Sequence, residues 1–168
     1  NHAKQLLNYT KCQSVKIEVN DKNVGIVSYL SRNNIDVVSH IGVTPQSFSN
    51  FSKIKIVGKT TEEKKRLINL ALNLQDAGSS LIVLECITKE TAKEITSRLW
   101  IPTIGIGSSI YCDGQILVVN DLLGLSTNFK KPKFVKTYLD LSSQISRAVQ
   151  KYSKEVKKNK FPSKKYTY

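Results

Sequence analysis

"SLIVLECITKETAKEITSRLWIPTIGIG", residues 80–107, reads as a strand, a helix and a second strand. "SLIVLE" (80–85) is an apolar run of strand length. "TKETAKEITSRLW" (88–100) sets Ala92, Ile95 and Leu99 on one helical face and ends ahead of Pro102, which has no N–H to continue a helix. "TIGIG" (103–107) is apolar again, with glycines that permit close backbone approach. Two apolar strands joined by one helix predict a parallel β–α–β unit, because parallel neighbours need a crossover.

The alternation continues on both sides. "SVKIEV" (14–19) is a β-branched strand bounded by Asn20-Asp21, and "NVGIVSYLSRNN" (23–34) is a helix with Val24, Val27 and Leu30 at helical spacing. "IDVVSHIG" (35–42) is the next strand, followed by a long irregular loop over 44–60. A helix then opens at Thr60-Thr61 with Glu62 and Glu63 in its first turn, where acids complement the dipole, and stops at Gly78. Downstream, "GQILVVND" (114–121) reads as a fifth strand, 134–158 as a long amphipathic helix, and "NKFPSKKYTY" as a frayed end. The strands are apolar almost throughout, as expected for strands covered on both faces. An open doubly wound sheet and a (β/α) barrel both fit. In either, ligands gather at the carboxyl ends of the strands.

Those ends are polar. The first strand finishes with Lys16 and Glu18, two apart and so on one face. The second ends at His40, the third at Glu85 and the fourth at Gly105-Ile106-Gly107. A cation, two acids and an imidazole at one rim suit an anionic substrate and a hard metal ion. Glu85 carries the most weight. A carboxylate after four aliphatics is costly to desolvate unless paired, and burial there favours a working general base.

Composition bounds the class. A chain of 168 residues, 40% hydrophobic and 23% charged, can bury a core as one domain. No apolar stretch reaches the ~20 residues of a membrane-spanning helix. Cys12, Cys86 and Cys112 form no CxxC pair and suit free thiols in a reducing compartment: the cytoplasm, or an organelle in a eukaryote. The absence of methionine carries the expectation of a portion of a longer or processed product. The net charge of +13 is concentrated at the end, where residues 130–168 hold 12 Lys/Arg against Asp140 and Glu155. A solvated helix face is the first reading of that tail, and a polyanion-binding surface the second.

Nine segments in order resemble the ketopantoate hydroxymethyltransferase family: "VKIE" (15–18), "HIGVTPQS" (40–47), "VGKT" (57–60), "LIVLECI" (81–87), "AKEIT" (92–96), "IPTIGIG" (101–107), "DGQILVV" (113–119), "NDLLGL" (120–125) and "PKFVK" (132–136). The resemblance implies a (β/α)8 TIM barrel, here incomplete and lacking about the first three β/α units. Residues 1–133 would form the partial barrel and 134–168 a C-terminal helix and basic tail. It also implies transfer of a hydroxymethyl group from 5,10-methylenetetrahydrofolate to 3-methyl-2-oxobutanoate, with Mg2+, in a homo-oligomer.

By the same resemblance Glu85 is the general base, Lys16 binds substrate, Glu18 is a metal ligand and His40 is a polar contact in the site. The two aspartates that complete the family's metal site would belong to the absent units, so the 168 residues alone are expected to be inactive. Departures from the family pattern fall at Val19-Asn20, Ser52-Lys53-Ile54, Ser108-Ser109 and Asn120. Two alternatives stand beside this reading. One is a non-catalytic remnant acting as a basic binding or interaction module; the other is a different magnesium-enolate lyase or mutase.

Overall fold

A computed structural model of the chain describes residues 2–45, 56–126 and 131–168. The predicted loop over 44–60 and the departure at Ser52-Lys53-Ile54 therefore lie partly or wholly outside the described residues. The chain divides into two compact units, Asn1–Ile116 and Leu117–Tyr168.

The first unit runs α1 (His2–Thr10), β1 (Ser14–Glu18), α2 (Val24–Arg32), β2 (Asp36–Gly42), α3 (Thr61–Asp76), β3 (Ser79–Glu85), α4 (Lys89–Arg98), β4 (Thr103–Ile106) and β5 (Gly114–Gln115). All five strands are parallel and lie in the order β1-β2-β3-β4-β5. That order decides between the two architectures left open by periodicity. Right-handed crossovers that always step in one direction lay their helices on one side of the sheet, whereas a doubly wound sheet reverses at a switch point. The arrangement is that of consecutive β/α units of a TIM-barrel type.

Register and alternation assign the faces. Val15, Val37, Ile41, Ile82 and Leu84 share one face and join Val27, Leu67, Ile68, Leu74, Ala92 and Ile95 of the helices in a single buried cluster. Fully burying aliphatic side chains of this size contributes about 1.5–3 kcal/mol each. The expectation of equal apolar cover on both faces needs correction. Lys16, Glu18, His40, Val83, Glu85, Ile104 and Ile106 occupy the opposite face, so that face turns polar toward the carboxyl ends.

Local chemistry sets the helix ends. Thr60 caps α3 by accepting from the Glu63 backbone N–H, and Glu63 Oε2 accepts in return from the Gly58 and Lys59 N–H groups. Those bonds, that from Lys59 first, hold the Glu63 carboxyl below its ordinary value. Sequence periodicity misses α1, whose Ala3 and Leu7 pack against the core but which buries no residue fully. The fifth strand is shorter than predicted. Only Gly114–Gln115 pair with β4, Ile116 N–H adds one bond to the Gly105 carbonyl, and Val119–Leu122 form a short helix, α5.

In the second unit the long helix, α6, spans Leu141–Lys157 rather than starting at 134. Asp140 caps it by accepting from the Ser143 N–H. The end expected to fray is exposed throughout, with a short 3-10 turn over Lys164–Tyr166; its Phe161 ring lies 5.5 Å from that of Tyr152 and 6.1 Å from that of Tyr166. No helix among the described residues is long and apolar enough to cross a membrane.

Candidate functional site

Glu18 of β1 pairs in register with His40 of β2, His40 with Val83 of β3, and Gly42 with Glu85. Parallel neighbours in register point to the same side, and residues two apart on a strand do likewise. Lys16, Glu18, His40 and Glu85 must therefore share one face near the carboxyl edge. The side chains meet as that geometry requires. His40 is 3% exposed; its Nε2 lies 3.0 Å from Glu85 Oε2 and its Nδ1 lies 3.9 Å from Glu18 Oε1. Lys16 Nζ approaches Nδ1 at 3.4 Å. All four residues singled out in the sequence come together.

Donor and acceptor chemistry orders the array. An ammonium has only hydrogens to give, so its bond to Nδ1 makes that nitrogen the acceptor and assigns the ring hydrogen to Nε2. The hydrogen then faces Glu85 Oε2, off the line of an aligned hydrogen bond. His40 is thus a buried spacer between a cation at the side and a carboxylate at the rim. The side chains of Glu18 and Glu85 are 12% and 14% exposed, and of the Glu18 carboxylate Oε2 is buried.

The backbone around Glu85 is held tightly. Its carbonyl accepts from the Val43 N–H at 2.9 Å, and Gly42 passes so close that a Cβ there would sit 2.2 Å from that oxygen. Cys86, the next residue, adopts a φ of +51°, uncommon for a residue with a side chain. Burial, then the neighbouring Glu85 charge, pushes the Cys86 thiol up to about 11. Ser108, noted in the sequence only as a departure, bonds the backbone on both sides of Glu85. No pattern in the sequence signals that contact.

The expected magnesium ion needs an oxygen-rich shell, usually one or two carboxylates with substrate and water. Among the described residues no group of three or more His, Cys, Asp or Glu side chains comes together to hold a metal. Glu18 offers one carboxylate, and the His40 imidazole 3.9 Å from it is a poor magnesium ligand. These residues do not make a magnesium site by themselves.

A parallel β/α sheet in sequential strand order, with an acid–base cluster at its carboxyl edge, defines the class: a protein of the β/α-barrel type whose ligand-binding edge carries ionisable side chains. Residues 1–164 match the family described as ketopantoate hydroxymethyltransferase, and the chain belongs to that family. It is 45% identical over 167 residues to the 3-methyl-2-oxobutanoate hydroxymethyltransferase of Pelagibacter ubique, covering 99% of this chain and 63% of the relative. It is also 45% identical over 155 residues to the enzymes of that name from Bdellovibrio bacteriovorus and Francisella tularensis subsp. novicida, covering 92% of this chain and 59% and 58% of theirs. The chain thus spans about six-tenths of the length of these relatives.

Proposed function

We propose that the protein carrying these residues transfers a hydroxymethyl group from 5,10-methylenetetrahydrofolate to 3-methyl-2-oxobutanoate, giving 2-dehydropantoate. The observation that carries the reading is the Lys16–His40–Glu85 array at the strand ends, with Glu18 beside it. The Lys16 ammonium attracts the keto acid's carboxylate. Glu85 is the base that removes the proton from C3, leaving an enolate. His40 sits behind both groups and keeps the base oriented. Water adds to the methylene carbon of the folate, both of its C–N bonds break, and tetrahydrofolate leaves a one-carbon unit at the oxidation level of formaldehyde. The C3 carbon of the enolate bonds to that carbon, and its oxygen takes up a proton to become the hydroxyl.

Glu18 is proposed as one donor toward magnesium. The residues that complete the site, and the strands that close the barrel, are proposed to lie in the part of the relatives' length that this chain does not span. The 168 residues alone are then inactive. The test is product formation by the full natural chain, with and without the folate. Folate-dependent 2-dehydropantoate supports the reading, whereas turnover of the keto acid that ignores the folate favours another enolate lyase or mutase.

A second reading, a basic binding module, draws on one observation. Arg147, Lys151, Lys154, Lys158 and Lys160, with the Glu155 carboxylate among them, line a groove of about 410 Å³ along α6. A salt-dependent shift on nucleic acid that disappears on truncation after Phe129 would support it. No shift at low salt would end it.

A further inference from the structure

We infer that Ser108 is a positioning residue for Glu85, an inference that rests on the base role proposed above. The turn after β3 holds Cys86 at a φ of +51°. A non-glycine residue there is strained and persists only where its surroundings over-determine it. The surroundings do so here. The Cys86 N–H donates to the Ile106 carbonyl at 2.9 Å, and its carbonyl accepts from the Val57 N–H at 3.0 Å. The Glu85 carbonyl accepts from the Val43 N–H at 2.9 Å.

These three bonds run from backbone to backbone. The remaining two use one side chain. Ser108 Oγ donates to the Leu84 carbonyl at 2.7 Å and accepts from the Ile87 N–H at 3.1 Å. A hydroxyl can do both at once, having one hydrogen and two lone pairs. Ser108 therefore bridges the residues two before and one after Cys86, across the turn that aims the Glu85 carboxylate at His40. Removing the hydroxyl leaves the Ile87 amide, in a residue 1% exposed, without that acceptor and takes a partner from the Leu84 carbonyl. Glu85 then samples orientations away from Nε2.

The experiment follows solvent deuterium entering C3 of 3-methyl-2-oxobutanoate, catalysed by the full natural chain, with amide hydrogen exchange read on the same variants. Ser108→Ala should lower kcat for C3 exchange on the order of 10- to 100-fold with KM within about twofold, the scale of a small misplacement of a reacting group. Ile87 amide exchange should rise selectively, by roughly fivefold or more, the loss of one hydrogen bond. Ser108→Thr, which keeps the oxygen, should restore both readouts.

Ser108→Gly removes the same hydroxyl with no new contact and should match Ser108→Ala, so a poorly folding alanine variant leaves the test intact. Wild-type C3 exchange in a hydroxyl-free variant overturns the inference. So does a rise in amide exchange spread evenly over β1–β4, which marks a general structural role. Glu85→Gln separates the two claims. If it retains full exchange, the base assignment fails; if it abolishes exchange while Ser108→Ala does not lower it, only the positioning role fails.

Discussion

Gly42→Ala is the substitution whose effect follows most directly from the packing at the site. Gly42 has a φ of +103°, and a Cβ built there lies 2.2 Å from the Glu85 carbonyl oxygen and 2.9 Å from Ile87 Cγ1. The oxygen is backbone, held by the Val43 N–H, and cannot swing aside. An alanine forced into that φ costs about 1–3 kcal/mol, and overpacking at a fixed neighbour about 1–3 kcal/mol more. With a urea m-value of about 1–3 kcal/mol/M, a loss of roughly 2–6 kcal/mol lowers the midpoint by on the order of 1–3 M. The assay is urea denaturation followed by circular dichroism. Gly25→Ala is the control: it lies in α2, a Cβ there meets nothing within 4 Å, and the variant should be more stable by about 0.5–1 kcal/mol. A Gly42→Ala midpoint within about 0.3 M of the parent would refute the close approach of β2 to the Glu85 turn.

Thiol labelling of the native chain at pH 8 should modify Cys12, which is exposed, and spare Cys86 and Cys112, which are buried; unfolding should release all three. Early modification of Cys86, whose thiol is pushed up to about 11, would contradict its burial. Thr60→Ala should cost about 1 kcal/mol in the same urea assay by removing the α3 cap, and no loss would show that the cap contributes nothing. Because the folded state lowers the Glu63 carboxyl, its stabilisation is present above the ordinary value of 4.5 and is lost as pH falls through the lowered folded value. Glu63→Gln should therefore flatten the acid limb of the stability curve, and an unchanged limb would assign it to other carboxylates.

Much of the fold is legible in the sequence because apolar runs and helical spacing alternate cleanly from Ser14 to Ile106. The same logic over-reads 114–121. Ile116, Val118 and Val119 look like strand residues but are half or more exposed, because strand character reflects the partners available rather than the run itself. The start of α6 is misplaced for a related reason. Phe134–Leu139 continue an amphipathic pattern, while the capping Asp140 sets the boundary. At the site, Lys16, Glu18, His40 and Glu85 are readable because a strand-end polar residue after an apolar run is conspicuous and parallel register brings such residues together. Ser108 is not readable. Its value lies in two bonds to a turn twenty-odd residues away, and a serine in a loop advertises nothing.

The central claim is that Glu85 is the base that removes the C3 proton. The direct measurement is solvent deuterium exchange at C3 of 3-methyl-2-oxobutanoate with Glu85→Gln in the full natural chain, alongside calorimetric binding of the keto acid. The amide keeps the shape of the carboxylate but cannot take the proton, so exchange should fall by about 10²–10⁴-fold while binding changes little. Exchange at the parent rate with intact binding would contradict the assignment.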